Sequence, residues 1–490
     1  MKYRKRVEGS AMSGSAFGNL HYVFWDDAVI ERQENLKRTW YGFEKEAGNP
    51  VFTKKYDWEG NIGPYTADPI RTADGYRLFY GTYGGKNSDY PSGLAMSDDG
   101  INWNRLDHWS DGIDDNAQIN CPFPDGGHLF PGYGYVGISF YRKTDTSPYP
   151  CIRVKKSKDG MHWETVENSE WVGPSDVLNL IWDERRSVYV LYYKLWKLAG
   201  RKTDGTPFCA YFPGFDPDER GEIFHAEGYS VLPERKWIDV DLECSSPILG
   251  DDGGGGKITR DVRMYRVIAR AETDDLIHWR DERIIVGSPT DSADDQTYGM
   301  FVRYRPELQM YTAYLQQFNA ISGHISPLFG WSYDGIRFEI RYGHPLLTVG
   351  ADGEWDAGMV LVTQNTMTID NRSCLYYGAL ALDHTKPDGE QVGGIGRAWM
   401  RKDGYVSVTG DLLVTKPVTV LSDRVFFNLR GRADVELQTS DGAVLARFSV
   451  SGDSPSLVPE GISLREYRDK QVRFAFSLKD GELYSFGFVK

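Results

Sequence analysis

Acidic residues recur at one place in the repeated apolar segments of this sequence, where the first strand of each segment is predicted to begin. Carboxylates that converge from several strands can divide acid and base roles, because crowding raises the pKa of one group while another stays ionised. Taken one at a time, each aspartate also fits a strand-entry cap. In chain order, the acids are Asp68, Asp114 with Asp115, Asp176, Asp294 with Asp295, and Glu354 with Asp356.

Converging carboxylates are what cleavage of a glycosidic bond requires, since one acid protonates the leaving oxygen and another acts as nucleophile or activates water. Asp294, Gln296 and Tyr298 share one face of a strand by the two-residue period, so Gln296 and Tyr298 are predicted sugar contacts. Further predicted substrate contacts are the aromatic residues Tyr65 and Trp355, together with Asp356.

Other titratable residues give weaker hypotheses. His324 lies in a loop and is the histidine best placed to replace a carboxylic acid as proton donor. His128 and His384 also lie in predicted loops. Glu272 follows closely on Arg270, so an ion pair is the favoured interpretation of this acid.

The elements that would position these acids are marked by a box that occurs four times. It contains Ser or Thr, any residue, Asp, usually Gly, two more residues and a large aromatic residue. Asp-Gly predicts a tight turn in which the Asp side chain caps backbone amides and Gly takes positive φ. The middle interval between boxes is about twice the other two, which indicates either an insertion or a unit that has lost its box. The boxes are Ser97-Asp-Asp-Gly-Ile-Asn-Trp103, Ser157-Lys-Asp-Gly-Met-His-Trp163, Thr273-Asp-Asp-Leu-Ile-His-Trp279 and Ser332-Tyr-Asp-Gly-Ile-Arg-Phe338.

Apolar, β-rich runs precede each box, and a unit of about four short strands ending in such a turn is typical of a β-propeller blade. The predicted fold is therefore all-β: a five-bladed β-propeller over residues 1–395, with an insertion at about 198–258 and the N-terminal segment closing the ring. Short alternating strands in residues 396–490 predict a small antiparallel β-sandwich with an accessory role. A single β-sandwich with coincidental hairpins is the alternative fold.

Composition excludes several function classes. The chain has 490 residues and a net charge of −14, which argues against nucleic acid as a partner. No apolar run reaches membrane-spanning length, so no membrane partner is predicted. The five cysteines lack metal-ligand spacing, and no cofactor is predicted, although a cation such as calcium in a carboxylate-lined channel stays an alternative. The basic N-terminus lacks a following apolar core, which predicts a cytoplasmic protein, or a periplasmic or secreted one whose signal peptide has been removed.

Four motifs carry a resemblance to a known group of proteins: Asp294-x-Gln-Thr-Tyr-Gly-Met300, Gly353-Glu-Trp-Asp-Ala-Gly-Met359, Tyr376-Tyr-Gly378 and Arg401-Lys-Asp-Gly-Tyr-Val-Ser407. The chain resembles the five-bladed β-propeller glycoside hydrolases related to β-fructosidases and arabinanases, in a branch with a C-terminal β-sandwich. The resemblance implies Asp68 as nucleophile or base and Asp176 as the group that stabilises the transition state. A general-acid Glu follows in those families; here Asp294 stands at the corresponding place.

These observations predict a glycosidase that releases sugar near the non-reducing end of an oligosaccharide, because a closed propeller channel is a funnel rather than an open cleft. A glycoside phosphorylase is one alternative, with phosphate bound by a basic cluster of Arg260, Arg263, Arg266 and Arg270. A non-catalytic carbohydrate-binding propeller is the other. The sequence predicts neither the sugar nor the oligomeric state.

Overall fold

A computed structural model describes most of the chain. It covers residues 20–83, 92–108, 129–141, 144–145, 151–172, 174, 176–201, 207–212, 221–225, 235–238, 263–287, 295–386 and 391–489. Within these ranges the side chains of 63–68, 83, 196–201, 207–212, 221–225, 235–238, 263–265 and 364–365 lie outside the description.

This part of the chain is all-β, with 31 strands and one short 3-10 helix, Arg465–Tyr467. Alternating and β-branched or aromatic sequences favour strands throughout. In chain order the strands are β1 His21–Val23, β2 Ile30–Glu34, β3 Lys37–Trp40, β4 Glu44–Lys45, β5 Asn61–Thr72, β6 Gly75–Tyr83, β7 Ser92–Ser97, β8 Asn104–Arg105, β9 Tyr135–Tyr141, β10 Cys151–Ser157, β11 Trp163–Thr165, β12 Trp171–Val172, β13 Leu178–Asp183, β14 Val188–Arg201, β15 Pro207–Phe212, β16 Gly221–His225, β17 Arg235–Ile238, β18 Arg263–Thr273, β19 Arg280–Val286, β20 Asp295–Arg305, β21 Met310–Asn319, β22 Ile325–Ser332, β23 Glu339–Pro345, β24 Met359–Ile369, β25 Arg372–Leu380, β26 Gly393–Arg401, β27 Val406–Thr415, β28 Val418–Thr419, β29 Val425–Thr439, β30 Val444–Leu457 and β31 Gln471–Phe488.

The smaller of two compact units comprises residues 20–41, 307–309 and 400–489. Its eight strands form one antiparallel sheet with the order β2-β27-β31-β29-β30, to which β1 and β28 add on β31 and β3 adds on β27. Aliphatic and aromatic side chains fill the core, and Tyr22 of β1 stacks on Phe486 of β31 with 4.8 Å between ring centroids. The sequence prediction places residues 20–41 with the propeller, whereas this pairing groups them with the C-terminal strands.

The larger unit, residues 42–306 and 310–399, contains five antiparallel groups of four strands, here called sheets 1 to 5. Sheet 1 is β5-β6-β7-β8, sheet 2 contains β9 to β12, and sheet 3 is β13-β14-β18-β19. Strands β15 to β17 extend sheet 3 within the predicted insertion. Sheet 4 is β20-β21-β22-β23, and sheet 5 is β24-β25-β26-β4. An N-terminal strand therefore completes the last sheet of this unit.

Buried side chains link each sheet of the larger unit to the next. Sheet 5 also shares a core with sheet 1, so the five sheets contact one another in cyclic order. The linking residues include Phe79 with Trp163 for sheets 1 and 2, Ile138 with Leu191 for 2 and 3, Val190 with Val302 for 3 and 4, Phe318 with Leu361 for 4 and 5, and Leu78 with Tyr376 for 5 and 1.

The predicted turn chemistry of the four boxes is confirmed. In each box the Ser or Thr hydroxyl donates to the Asp carboxylate at 3.0–3.1 Å. The same carboxylate accepts the amides two and three residues further on at 2.8–2.9 Å. Amides of Asn102 and Ile101 thereby hold the pKa of Asp99 below its usual range. The residue after Asp has positive φ in every box, including Leu276 at 63°.

Two of the boxes each accept a hydrogen bond from a tyrosine of a neighbouring sheet. Tyr192 of sheet 3 donates its hydroxyl to the carbonyl of Gly335 at 2.9 Å, and Tyr376 of sheet 5 donates to the carbonyl of Gly100 at 2.8 Å. The first contact reaches the box of sheet 4, and the second reaches the box of sheet 1. These buried hydrogen bonds make the boxes part of the packing between sheets as well as local turns.

Candidate active site

A buried lysine meets Asp176 where sheet 3 begins. Asp176 lies two residues before β13, in a segment without strand pairing, and Lys194 lies on β14. The Lys194 Nζ is 2.5 Å from Asp176 Oδ1. The lysine side chain is 4% exposed and the aspartate side chain 30% exposed, so solvent or a ligand reaches the carboxylate. Direct contact with an ammonium group stabilises the ionised form of a carboxyl group.

Tyr298 of sheet 4 lies against this ion pair. The Lys194 Nζ is 4.7 Å from the Tyr298 ring centroid, and the Arg266 Cζ is 5.6 Å from it. These are cation–π distances. The Tyr298 hydroxyl lies 3.1 Å from His384 Nε2. A hydroxyl, an imidazole and a carboxylate from three segments thus meet around one lysine.

Arg266 connects this group to Gln296. Its Nη1 donates to Gln296 Oε1 at 2.7 Å, and its Cζ lies 4.5 Å from the Phe318 ring centroid. Arg266 and Gln296 are both buried. Gln296 and Tyr298, which the sequence predicts to share a strand face, therefore both contact Arg266.

Burial and the neighbouring positive charges keep the histidine of this group neutral. Burial, followed by the nearby charges of Arg266 and Lys194, lowers the pKa of His384 to about 3. A neutral imidazole donates a hydrogen bond from one ring nitrogen and accepts one at the other. The group therefore combines a partly exposed carboxylate with a neutral imidazole that is hydrogen-bonded to a tyrosine hydroxyl, and these polar side chains can bind a polar ligand.

The predicted site residues fall into three sets. Asp176, Gln296 and Tyr298 come together as described above. Trp355 and Asp356 contact other groups: Trp355 stacks on Tyr377 with centroids 5.7 Å apart. Asp356 is buried and pairs with Lys45 Nζ at 2.6 Å. The side chains of Asp68 and Tyr65, on β5, lie outside the described residues, as do Asp294, Asp114 and Asp115.

The structure also describes Glu272 and two of the four arginines proposed to bind phosphate. Glu272 accepts hydrogen bonds from Arg186 and Arg270, so the predicted ion pair is confirmed. Arg270 is thereby held against Glu272, whereas Arg266 lies four residues away in the group around Tyr298. Arg260 and the side chain of Arg263 are outside the description. Within the described side chains, Arg266 alone of the four proposed phosphate ligands contacts this group.

Sequence reasoning missed the role of Lys194 and gave His384 no function. One signal for Lys194 was present. It follows the apolar run Val188-Tyr-Val-Leu-Tyr-Tyr193 and precedes Leu195 in a predicted buried strand. A charged residue in such a strand needs a partner, because an unpaired buried ammonium is costly. For His384, no local pattern indicates its contact with Tyr298.

Two features are absent from the described part of the chain. Among its residues, no group of three or more His, Cys, Asp and Glu side chains is arranged to hold a metal ion. None of its helices has the length and apolar character needed to cross a membrane.

Comparisons with known proteins found no matching family model and no matching curated protein. Distant solved structures do match. An N-acetylgalactosamine deacetylase from F. plautii, in complex with blood group B trisaccharide, has a TM-score of 0.44 and 13% identity over 75% of this chain and 95% of that one. A glycosyl hydrolase from Bacteroides ovatus has a TM-score of 0.42 and 15% identity over 76% and 97%. Fructan 1-exohydrolase IIa from Cichorium intybus, in complex with 1-kestose, has a TM-score of 0.39 and 12% identity over 81% and 68%.

Glycoside hydrolases are among these matches.

Proposed function

We propose that this protein is a glycoside hydrolase in which Asp176 supplies an ionised carboxylate at the centre of a five-bladed β-propeller. The observation that carries the proposal is the Lys194–Asp176 ion pair, which is partly open to solvent and lies beside Tyr298. An anionic carboxylate at such a place stabilises the positive charge that develops on the sugar ring in the transition state. Asp68 and Asp294 are proposed as nucleophile or base and as acid, on the resemblance alone.

The proposed ring rests on the cyclic order in which the five sheets share buried cores. In a closed ring, the ends of the first strands of all sheets converge on one funnel. Asp176, ahead of β13, and Gln296, on β20, are at two such ends. A funnel of this kind favours release of a sugar from the non-reducing end of an oligosaccharide.

Activity against a panel of plant, algal and bacterial oligosaccharides, with and without phosphate, tests this function. Asp176→Asn is expected to lower turnover by about 100-fold or more, as does loss of other groups that act on the transition state. The matched control is Asp107→Asn, because Asp107 is exposed and distant in sequence from the site. Asp68→Asn tests the role implied by resemblance.

Three outcomes contradict parts of the proposal. Full activity in Asp176→Asn refutes the role of this carboxylate. Turnover that requires phosphate identifies a phosphorylase instead of a hydrolase. Binding of one glycan without turnover, equal in wild type and both site variants, identifies a binding protein.

A further inference from the structure

We infer that Lys194 is a positioning residue that holds the Asp176 carboxylate in one orientation for the reaction proposed above, on which this inference rests. Lys194 attaches to the Asp176 segment at two points. Its backbone N–H donates to the carbonyl of Val177 at 3.0 Å, and its Nζ contacts Asp176 Oδ1 at 2.5 Å. One residue therefore fixes both the backbone beside Asp176 and the carboxylate itself.

The two partners differ in how firmly the fold holds them. Lys194 is in the interior of β14, which pairs with β13 on one side and β18 on the other. Its register partner on β18 is Ile268, a fully buried residue. Asp176 lies before β13 begins. The rigid element therefore carries the lysine, and the irregular segment carries the carboxylate that has to be oriented.

The ammonium group is itself held from a second direction. The face of the Tyr298 ring lies 4.7 Å from Nζ, so Lys194 is placed between an aromatic ring of sheet 4 and the carboxylate of sheet 3. Tyr298 is buried and its hydroxyl is fixed by the contact with His384. With its backbone paired and its Nζ contacted on two sides, the lysine has little freedom to follow a moving carboxylate.

A positioning role has a kinetic signature that a purely structural role lacks. Replacing Lys194 with Met keeps a long apolar stem and removes the ammonium group. Misplacement of a reacting group by about 1 Å can cost about 100-fold in rate. We expect Lys194→Met to lower kcat by about that factor and to leave KM within about threefold, because contacts made only in the transition state are lost.

Chemical rescue makes this test specific to the ammonium group. In Lys194→Ala, added n-propylamine should restore turnover in a saturable manner, whereas n-propanol should not. Equal rates with the amine and the alcohol overturn the inference, as does a Lys194→Met enzyme with unchanged kcat. Lys194→Gln, which keeps a polar terminus, replaces Lys194→Met in every comparison if the Met variant does not fold.

A crystallographic measurement tests the inference without reference to activity. The Asp176 carboxylate should move or lose order in Lys194→Met while the backbone of β13 and β14 stays in place. An unmoved, ordered carboxylate refutes the positioning role. Absence of turnover in the wild type across the whole panel refutes the proposed function instead, and the crystallographic comparison then decides the role of Lys194 by itself.

Discussion

The buried ion-pair network at the far end of β18 gives the sharpest stability prediction. Glu272 accepts two hydrogen bonds from Arg186, at 2.5 and 2.8 Å, and a further one from Arg270. The Glu272 and Arg270 side chains are 4% and 1% exposed, whereas that of Arg186 is 35% exposed. The Glu272→Gln substitution removes the negative charge with almost no change in size.

Most of the expected loss comes from Arg270. Breaking a buried pair from one side costs about 3 to 5 kcal/mol, because the remaining charge stays buried without compensation. Arg186 adds at most about 1 kcal/mol, since it can turn toward water. We therefore expect Glu272→Gln to lower the free energy of unfolding by about 3 to 5 kcal/mol, measured by urea denaturation with tryptophan fluorescence.

Two control variants isolate the cause. Glu164→Gln breaks an exposed pair, in which Lys156 Nζ lies 3.9 Å from a 59% exposed carboxylate, and should cost less than about 1 kcal/mol. The double variant Arg270→Met/Glu272→Met removes both buried charges and should recover most of the loss. A loss below about 1 kcal/mol in Glu272→Gln refutes the reasoning. A double variant no more stable than Glu272→Gln refutes it equally.

The same network predicts a dependence on pH. Burial by itself raises the pKa of Glu272, but hydrogen bonds from Arg186 and Arg270 outweigh this effect and lower it below the ordinary 4.5. Because the folded-state pKa is the lower one, Glu272 contributes stability that is fully present above pH 4.5 and is lost as the pH falls through the folded-state value. The stability difference between wild type and Glu272→Gln should therefore shrink in acid.

Two further predictions concern the boxes. Tyr376→Phe removes a hydroxyl that donates to the Gly100 carbonyl at 2.8 Å and accepts from Trp103 Nε1 at 2.8 Å and from Arg397 Nη1 at 3.2 Å. It should cost about 1 to 3 kcal/mol in unfolding experiments, whereas an unchanged stability would show that these hydrogen bonds are dispensable. Gly160→Ala places a Cβ 2.9 Å from Phe79 Cζ at a residue with φ of 81°, so it should lower stability by about 1 to 3 kcal/mol. Gly48→Ala is its control, because nothing lies within 4 Å of a Cβ there; equal melting of the two variants would contradict this assignment.

Local features of the fold could be predicted because their cause is local. Each box contains its own donors and acceptors within seven residues, so Ser97, Asp99 and Gly100 specify the same turn wherever the strand places them. The ion pair of Glu272 could be predicted for a similar reason, since Arg270 is two residues away on the same face of one strand.

Features that join distant segments could not be predicted in this way. Tyr22 and Phe486 are separated by nearly the whole chain, and the alternation in residues 20–41 fits either unit equally well. Lys194 and Asp176 are brought together by the pairing of β13 with β14, and His384 reaches Tyr298 from the turn that follows β25. A single sequence shows that Lys194 needs a partner, but the partner is set by the register of two strands.

The register of sheet 3 places the residues of the candidate site and those of the Glu272 ion-pair network at opposite ends of β18. Lys194 is opposite Ile268, and Tyr189 is opposite Thr273, so Arg266 lies toward the Asp176 end and Glu272 lies at the box end. Arg266 and Glu272 are six positions apart, which corresponds to about 20 Å of extended strand. Arg266 faces the candidate site, whereas Glu272 joins a network held between buried side chains. A substitution at the box end can therefore lower stability without moving the carboxylate, which is why the two ends of β18 can be tested independently.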